Sequence, residues 1–212
     1  MNSEPPQGAA KLSAPAERNR EPILETLRQV LPATGLALEI ASGTGQHVAY
    51  FATQLPGWTW QPTDAQPDAF GSIAAWCDQA GVANVREAQV LDVLNLLWPS
   101  PLTPFAQAFD AIYCANMLHI APWSTCAGLM QGAAKYLTPK GLLITYGPYL
   151  EHDVPTSPGN LAFDQSLRER NSDWGIRGLD DVTAQASKAG LTLHKRFQMP
   201  ANNLLLVFGR QA

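Results

Sequence analysis

Cysteine and charge are both scarce in this sequence of 212 residues. The three cysteines, Cys77, Cys114 and Cys126, are odd in number and lack C-x-x-C spacing, which argues against a disulfide framework or a zinc site. We therefore expect reduced thiols, no bound metal and a cytoplasmic location. No run of Lys or Arg exists and the net charge is −4, so we expect no extended nucleic-acid surface.

Long apolar runs are missing as well. A membrane helix needs about 20 consecutive apolar residues, and no stretch of this sequence reaches that length. The N-terminus has no basic segment followed by an apolar one, so we expect no signal peptide and no membrane partner. Apolar residues still make up 46% of the chain, which is enough for the core of one globular domain. The oligomeric state is not predicted.

The composition changes along the chain and indicates its organisation. Residues 1–14 are rich in Pro, Gln, Gly and Ala, which predicts a disordered tail. Helical spacing of apolar residues predicts an N-terminal cap helix at about 16–31, with Pro22 opening it. A single domain is predicted over 15–212, with an insertion after the fifth strand at about 147–178.

Strand-like and helix-like segments alternate after this first helix, which predicts a mainly parallel sheet. The final two strand-like segments, Leu191–Phe197 and Asn203–Phe208, have no helix between them. We therefore expect the last strand to be antiparallel.

The most informative segment is the glycine turn at 41–45. An apolar strand precedes it and a helix-like segment follows, and Gly43 and Gly45 let the backbone approach a nucleotide-like ligand closely. A dinucleotide fingerprint would have a third glycine where Val48 stands, which counts against an NAD-dependent oxidoreductase. Glu39 lies inside the apolar strand, where a carboxylate is costly without hydrogen bonds, so we expect it to support the turn.

Acids and amides recur where successive predicted strands end. In an open α/β sheet, ligands bind at the carboxyl ends of the strands. Asp64 ends the second strand, where a carboxylate can accept hydrogen bonds from ribose hydroxyls, and Asp92 and Asn116 follow the third and fourth strands. The predicted cofactor residues are Glu39, Ala41, Ser42, Gly43, Gly45, Gln46, Asp64, Asp92, Asn116 and Met117.

Three further residues are candidates for the catalytic side of the site. His119 follows the fourth strand and could act as a general base, or its ring could be packed beside the cofactor. Tyr146 and Tyr149 end the fifth strand, where aromatic rings could line a substrate pocket. A second set is expected to form a lid or to contact the substrate, or else to be ordinary surface residues: Arg18, Asn19, Arg20, Glu151, Arg168 and Trp174.

The spacing of Glu39, Ala41, Gly43 and Gly45, E-x-A-x-G-x-G, resembles motif I of class I S-adenosylmethionine-dependent methyltransferases. Through six segments taken together, the chain from about residue 13 to 210 resembles the methyltransferase-like protein 26 family. These segments are Ala14–Leu24, Leu38–His47, Trp60–Asp64, Tyr146–Tyr149, Asp173–Arg177 and Met199–Asn203.

This resemblance implies a Rossmann-like class I methyltransferase fold: a mainly parallel seven-stranded sheet with an antiparallel last strand and helices on both faces. It also implies S-adenosyl-L-methionine as cofactor and S-adenosyl-L-homocysteine as product, with Asp92 near the adenine amino group. It implies no methyl acceptor. The predicted function is methyl transfer to a small molecule. The alternatives are a non-catalytic sensor or scaffold that binds the cofactor and, less favoured, an NAD-dependent oxidoreductase.

Overall fold

The computed structural model of the chain describes residues 9–210, which form two compact units divided between Leu91 and Asp92. Most of the predicted tail, 1–14, therefore lies outside the described residues. Within 9–210, no helix has both the length and the apolar character that a membrane span requires.

The first unit is a parallel sheet with three helices. Its strands lie in the order β3-β2-β1, and neighbouring strands pair in parallel. The helices are α1 (Ala14–Val30), α2 (Gln46–Gln54) and α3 (Phe70–Ala80), and the strands are β1 (Gly35–Ile40), β2 (Trp58–Asp64) and β3 (Gln89–Val90). Large buried side chains from α1, α2 and β2, among them Leu27, Phe51 and Trp60, fill its core.

Helix α1 begins earlier than the sequence predicts. Ser13 caps it by accepting a hydrogen bond from the N–H of Ala16, and Pro15 stands in the first turn, where a missing N–H does no harm. Pro22 therefore lies inside the helix instead of opening it. Ile23 and Leu27 follow it on the buried face.

The second unit has a mixed sheet in the order β4-β5-β8-β7, with the short strand β6 paired to β5. Strands β4 and β5 are parallel, whereas β8 is antiparallel to both β5 and β7, as predicted. Its elements are β4 (Phe109–Ala115), α4 (Ser124–Tyr136), β5 (Leu137–Leu150), α5 (Pro158–Arg170), β6 (Arg177–Gly178), α6 (Leu179–Lys188), β7 (Leu191–Met199) and β8 (Asn203–Arg210).

Strand β5 spans 14 residues. It begins at Leu137, and its pairing with β4 shifts between Phe109 and Ala111, where β5 has more residues than β4. The far end reaches Leu150 and pairs with β6, which the sequence did not predict. The first four residues of the predicted insertion at 147–178 therefore belong to β5.

Candidate functional site

The glycine loop, residues 41–45, joins β1 to α2 through three residues with positive φ. These are Ala41 at +55°, Gly43 at +54° and Gly45 at +87°. A Cβ atom added at Gly45 would lie 2.6 Å from the Cα atom of Ile73 in α3. Glycine is therefore required at position 45 both for its backbone conformation and for the close approach of α3.

Asp64 and Thr63, at the end of β2, brace this loop. The Oδ2 atom of Asp64 accepts a 3.0 Å hydrogen bond from the N–H of Gly43, and the carbonyl of Thr63 accepts one of 2.8 Å from the N–H of Ser42. Gly43 is exposed and Asp64 is half-buried. Since a carboxylate has about four acceptor positions, Asp64 retains capacity for hydrogen bonds from a ligand.

Glu39 is almost completely buried beneath the loop, and its Oε2 atom has no hydrogen-bond partner among residues 9–210. Burial raises the pKa of Glu39 to about 8; a hydrogen bond from Ser42 opposes this shift and the charge of Asp64 adds to it. The carboxyl group is therefore largely protonated at neutral pH. A cationic ligand close to it would favour the ionised form.

Polar side chains of α1 and of the residues before it lie against the start of α2. Gln46 is buried, and its side-chain oxygen accepts a hydrogen bond from the N–H of Ser13. Asn19 is 2.7 Å from the Nε2 atom of His47, and the guanidinium of Arg20 lies 4.6 Å from the centre of the Tyr50 ring. Arg18, the third predicted lid residue, is exposed.

His47 is buried at this junction between α1 and α2. Burial is the main cause that lowers its pKa to about 4, and the nearby charge of Arg20 lowers it further. His47 is therefore neutral at physiological pH. It stacks on Phe51 with the two ring centres 5.3 Å apart, so it acts as part of the packing that fixes α1 on α2.

In the second unit, the predicted cofactor residues Asp92, Asn116 and Met117 stand at chain turns. Asp92 is half-buried and accepts a 2.9 Å hydrogen bond from the N–H of Leu94. Asn116 follows β4 with a φ of +60°, and its N–H donates to the carbonyl of Tyr146 in β5. Met117 is buried and opens a short 3-10 turn, Met117–His119.

His119 has no solvent-exposed surface, and neither ring nitrogen has a hydrogen-bond partner among residues 9–210. Burial, helped by the positive charge of Arg177, lowers its pKa to about 3. Its ring meets that of Tyr149 edge to face, with the centres 5.1 Å apart. A Cβ atom at Gly147 would be 2.5 Å from the Nε2 atom, so the glycine provides the space for this ring. The environment favours a packed imidazole over a general base.

The two candidate tyrosines are buried and have partners within the second unit. The hydroxyl of Tyr149 donates a 2.8 Å hydrogen bond to the hydroxyl of Thr145. Burial raises the pKa of Tyr149 above its ordinary value. The hydroxyl of Tyr146 accepts a 3.1 Å hydrogen bond from the amide of Asn203. Both rings therefore help to define the interior at the end of β5.

The remaining candidates each have an intramolecular partner. Glu151 accepts two 2.7 Å hydrogen bonds from the guanidinium of Arg196, which lies 45 residues later. Arg168 pairs with Asp164 one helical turn earlier, at 2.8 Å. The guanidinium of Arg170 lies over the ring of Trp174 at 5.4 Å. These contacts stabilise the segment around α5.

Sequence reasoning missed Ser13, Thr63 and Asn203 as residues that support the site. Each has a short polar side chain at the end of a helix or strand, which is a weak signal, because most such residues only cap or terminate elements. Arg177 donates to the carbonyls of Leu118 and Ala121, and so holds the turn that carries His119.

The fold resembles solved structures of methyltransferases. One is CalO1, a methyltransferase in calicheamicin biosynthesis in its SAH-bound form, with a TM-score of 0.70, 13% identity, and coverage of 87% of this chain and 52% of that one. A second is an O-methyltransferase family protein from Burkholderia thailandensis, with a TM-score of 0.74, 16% identity, and coverage of 91% and 56%. A third is an O-methyltransferase family 2 protein from Planctomyces limnophilus in complex with apigenin, with a TM-score of 0.71, 20% identity, and coverage of 91% and 62%.

These comparisons confirm the predicted fold class, a Rossmann-like α/β fold of the methyltransferase type with antiparallel C-terminal strands. The chain spans between about half and three-fifths of the length of these structures. A family described as "Protein of unknown function (DUF938)" matches residues 10–210, almost the whole chain. The chain therefore belongs to the DUF938 family.

Proposed function

We propose that this protein is an S-adenosylmethionine-dependent methyltransferase that acts on a small molecule. The observation that carries the proposal is the glycine loop, in which the exposed backbone at Gly43 is held by the carboxylate of Asp64 at the end of the neighbouring strand. The glycine has no side chain, so a ligand can approach the backbone closely, and the carboxylate lies beside it at the end of a strand. This arrangement suits the ribose and methionine parts of the cofactor.

The residues of the first unit fit the cofactor chemically. Asp64 has free acceptor capacity for the two ribose hydroxyls. The unpartnered Oε2 atom of Glu39 is an orphaned acceptor near the loop, which suits the positive charge that the cofactor carries, directly or through water. Ala41, Ser42, Gly45 and Gln46 shape the loop, and Asp92, Asn116 and Met117 are the proposed contacts from the second unit.

When bound, S-adenosylmethionine supplies an electrophilic methyl group. The protein must then mainly orient the acceptor and exclude water. His119, Tyr146 and Tyr149 are the proposed acceptor-side residues. Their burial and internal partners support a role in shaping the pocket wall, and the low pKa of His119 makes it a weak proton acceptor at neutral pH.

The structural neighbours support this choice at the level of the fold. One was solved with SAH bound and another with apigenin, and both are named as methyltransferases. Placement in the methyltransferase-like protein 26 family belongs to this proposal, as does a cytoplasmic location. A single domain over 15–212 is likewise proposed.

The second candidate is a non-catalytic sensor or scaffold that binds the same cofactor. The observation favouring it is that His119 and Tyr149 are buried, so that the turn after β4 offers no evident proton acceptor. A sensor or scaffold would bind the cofactor and would turn over no methyl acceptor.

Thermal unfolding in the presence of S-adenosylhomocysteine, S-adenosylmethionine or NADH tests the proposal. A ligand that binds only the folded state stabilises it by about 2.7 kcal/mol at 100 times its Kd. We expect stabilisation by the two adenosyl compounds and none by NADH. Stabilisation by NADH alone would replace the proposal with an oxidoreductase. Release of S-adenosylhomocysteine in the presence of a phenol, amine and thiol panel then separates the enzyme from the sensor.

A further inference from the structure

A groove of about 540 Å³ opens on the second unit beside α5, β6 and α6. Trp123, just before α4, forms one wall, and Leu150 at the end of β5 contributes apolar surface. The ionisable residues that line it are three cations, Arg168, Arg177 and Lys188, and one acid, Asp181. The groove therefore has an excess of positive charge, although the whole chain is acidic.

Arg177 is half-buried and fixed by neutral groups only. Its Nε–H donates to the carbonyl of Leu118 at 2.9 Å, and Nη2 donates to the carbonyls of Ala121 and Asp173. Its guanidinium lies 5.6 Å from the centre of the Trp123 ring.

These contacts use three of the five N–H groups of the guanidinium. The two on Nη1 have no acceptor in the described part of the chain, and no carboxylate there forms an ion pair with Arg177. Burial, followed by the charge of Arg168, lowers the pKa of Arg177, but the side chain remains charged. The result is an immobilised cation with unused donors.

The other charged side chains at the groove form no ion pair with Arg177 within residues 9–210, although the charges of Asp164 and Asp173 favour its charged form. Lys188 is exposed, and its side chain makes no hydrogen bond or ion pair within residues 9–210. Asp181, the only acid among the described residues that line the groove, is in the first turn of α6, and a Cβ atom at Gly178 would be 2.7 Å from its Oδ2 atom. Arg168 is paired with Asp164, yet its side chain keeps half of its surface exposed.

We propose that this groove binds the oxyanion of a small molecule, a carboxylate or a phosphate, with Arg177 as the principal donor and Lys188 and Arg168 as supporting charges. The free N–H groups of Nη1 can donate to an oxygen of either oxyanion, and a hydrogen bond from a charged donor is stronger than one from a neutral donor. Trp123 adds an aromatic face for the carbon skeleton that bears the anion. None of the residues proposed for the cofactor lines the groove, so the proposal stands independently of methyl transfer.

Titration with inorganic phosphate and with benzoate, followed through the indole N–H signal of Trp123 by NMR, tests this site and separates the two oxyanions. Trp123→Phe assigns the signal. Lys188→Glu is the main variant because Lys188 supports no other contact, and Lys140→Glu is its control, since that exposed lysine of β5 lies outside the groove. Arg177→Lys retains the charge and removes the Nη1 donors.

We expect saturable binding of at least one of the two anions. Lys188→Glu and Arg177→Lys should each weaken it at least tenfold, and Lys140→Glu should change it less than twofold. Absence of a saturable shift with both anions would overturn the proposal, and so would equal weakening by the two Lys→Glu variants or no weakening by Lys188→Glu. Because the titration contains no cofactor, its failure would leave the methyltransferase proposal untouched.

Discussion

The glycine loop of the first unit and the turn after β4 in the second follow parallel strands in the same way, yet they differ in what they offer to a ligand. Each opens with a residue other than glycine at positive φ, Ala41 at +55° and Asn116 at +60°. The loop then exposes Gly43 and is braced by a carboxylate. The turn instead buries Met117 and His119. The glycine loop therefore exposes polar backbone, whereas the turn after β4 contributes buried side chains to the interior.

Both regions also contain a buried ionisable group that is neutral at physiological pH. Burial raises the pKa of Glu39 to about 8 and lowers that of His119 to about 3. A cation can restore the charge of Glu39, whereas the nearby Arg177 disfavours a charged His119. The difference indicates that the polar group beside the glycine loop can respond to a ligand, and that the histidine mainly fills space.

The largest expected effect is that of Gly45→Ala. The added Cβ would meet the backbone of Ile73, and positive φ is strained for alanine, so we expect a loss of about 2–4 kcal/mol in the free energy of unfolding. Gly81→Ala is the matched control because Gly81 also has positive φ but nothing within 4 Å. It should cost about 1 kcal/mol. Urea unfolding measures both, and equal losses would contradict the close packing of α3 on the loop.

Acid should destabilise the protein through its buried histidines. The pKa of folded His47 is about 4 and that of His119 about 3, so the unfolded chain binds more protons below pH 6.5 and stability falls as the pH decreases towards these values. Each group contributes up to about 1.4 kcal/mol per pH unit. His119→Phe should reduce this slope in urea unfolding between pH 6 and 4. An unchanged slope in His119→Phe would show that burial does not lower the pKa of this ring.

Glu39 should act in the opposite direction at higher pH. Its folded pKa of about 8 lies above the ordinary value, so the folded state binds more protons between pH 4.5 and 8 and loses stability as the pH rises through that range. Glu39→Gln should remove this part of the slope, up to about 1.4 kcal/mol per pH unit. Unfolding at pH 5, 6, 7 and 8 gives the comparison. A slope identical to that of the wild type would mean that Glu39 is ionised in the fold.

The smallest effect is expected at the helix that packs on α2. Arg20→Gln removes a partly exposed ion pair with Glu17 and the contact with Tyr50, so it should cost about 0.5–1 kcal/mol. Arg18→Gln is the control, because exposed Arg18 has no polar partner among residues 9–210, and it should change stability by less than about 0.5 kcal/mol. If the two variants behave alike, the contacts of Arg20 contribute nothing to the docking of α1.

Much of the fold could be predicted because its signals are local. Apolar runs in the sequence predicted β1, β2 and β4, and the two glycines predicted the loop after β1. Because the sequence shows no helix between the last two strands, it also predicted that β8 is antiparallel. The two-residue strands β3 and β6 could not be delimited, since pairing partners distant in sequence define them.

The candidate site divides in the same way. Asp64 was identified from its place at a strand end, although its hydrogen bond to Gly43 depends on the folded loop. The burial of His119 depends on the absence of a side chain at Gly147, 28 residues later in sequence, and the pairing of Glu151 with Arg196 spans 45 residues. Neither of these long-range contacts produces a recognisable pattern in the local sequence.

The measurement that tests the account most directly is calorimetric titration of S-adenosylhomocysteine into the wild type, Asp64→Asn and Asp68→Asn. Asp64→Asn keeps the shape of the side chain but loses the charge that accepts the hydrogen bond of Gly43, and exposed Asp68 is the matched control. We predict binding by the wild type, at least tenfold weaker binding by Asp64→Asn, and no change in Asp68→Asn. No binding by the folded wild type, or equal affinity in all three proteins, would contradict a cofactor held at the glycine loop.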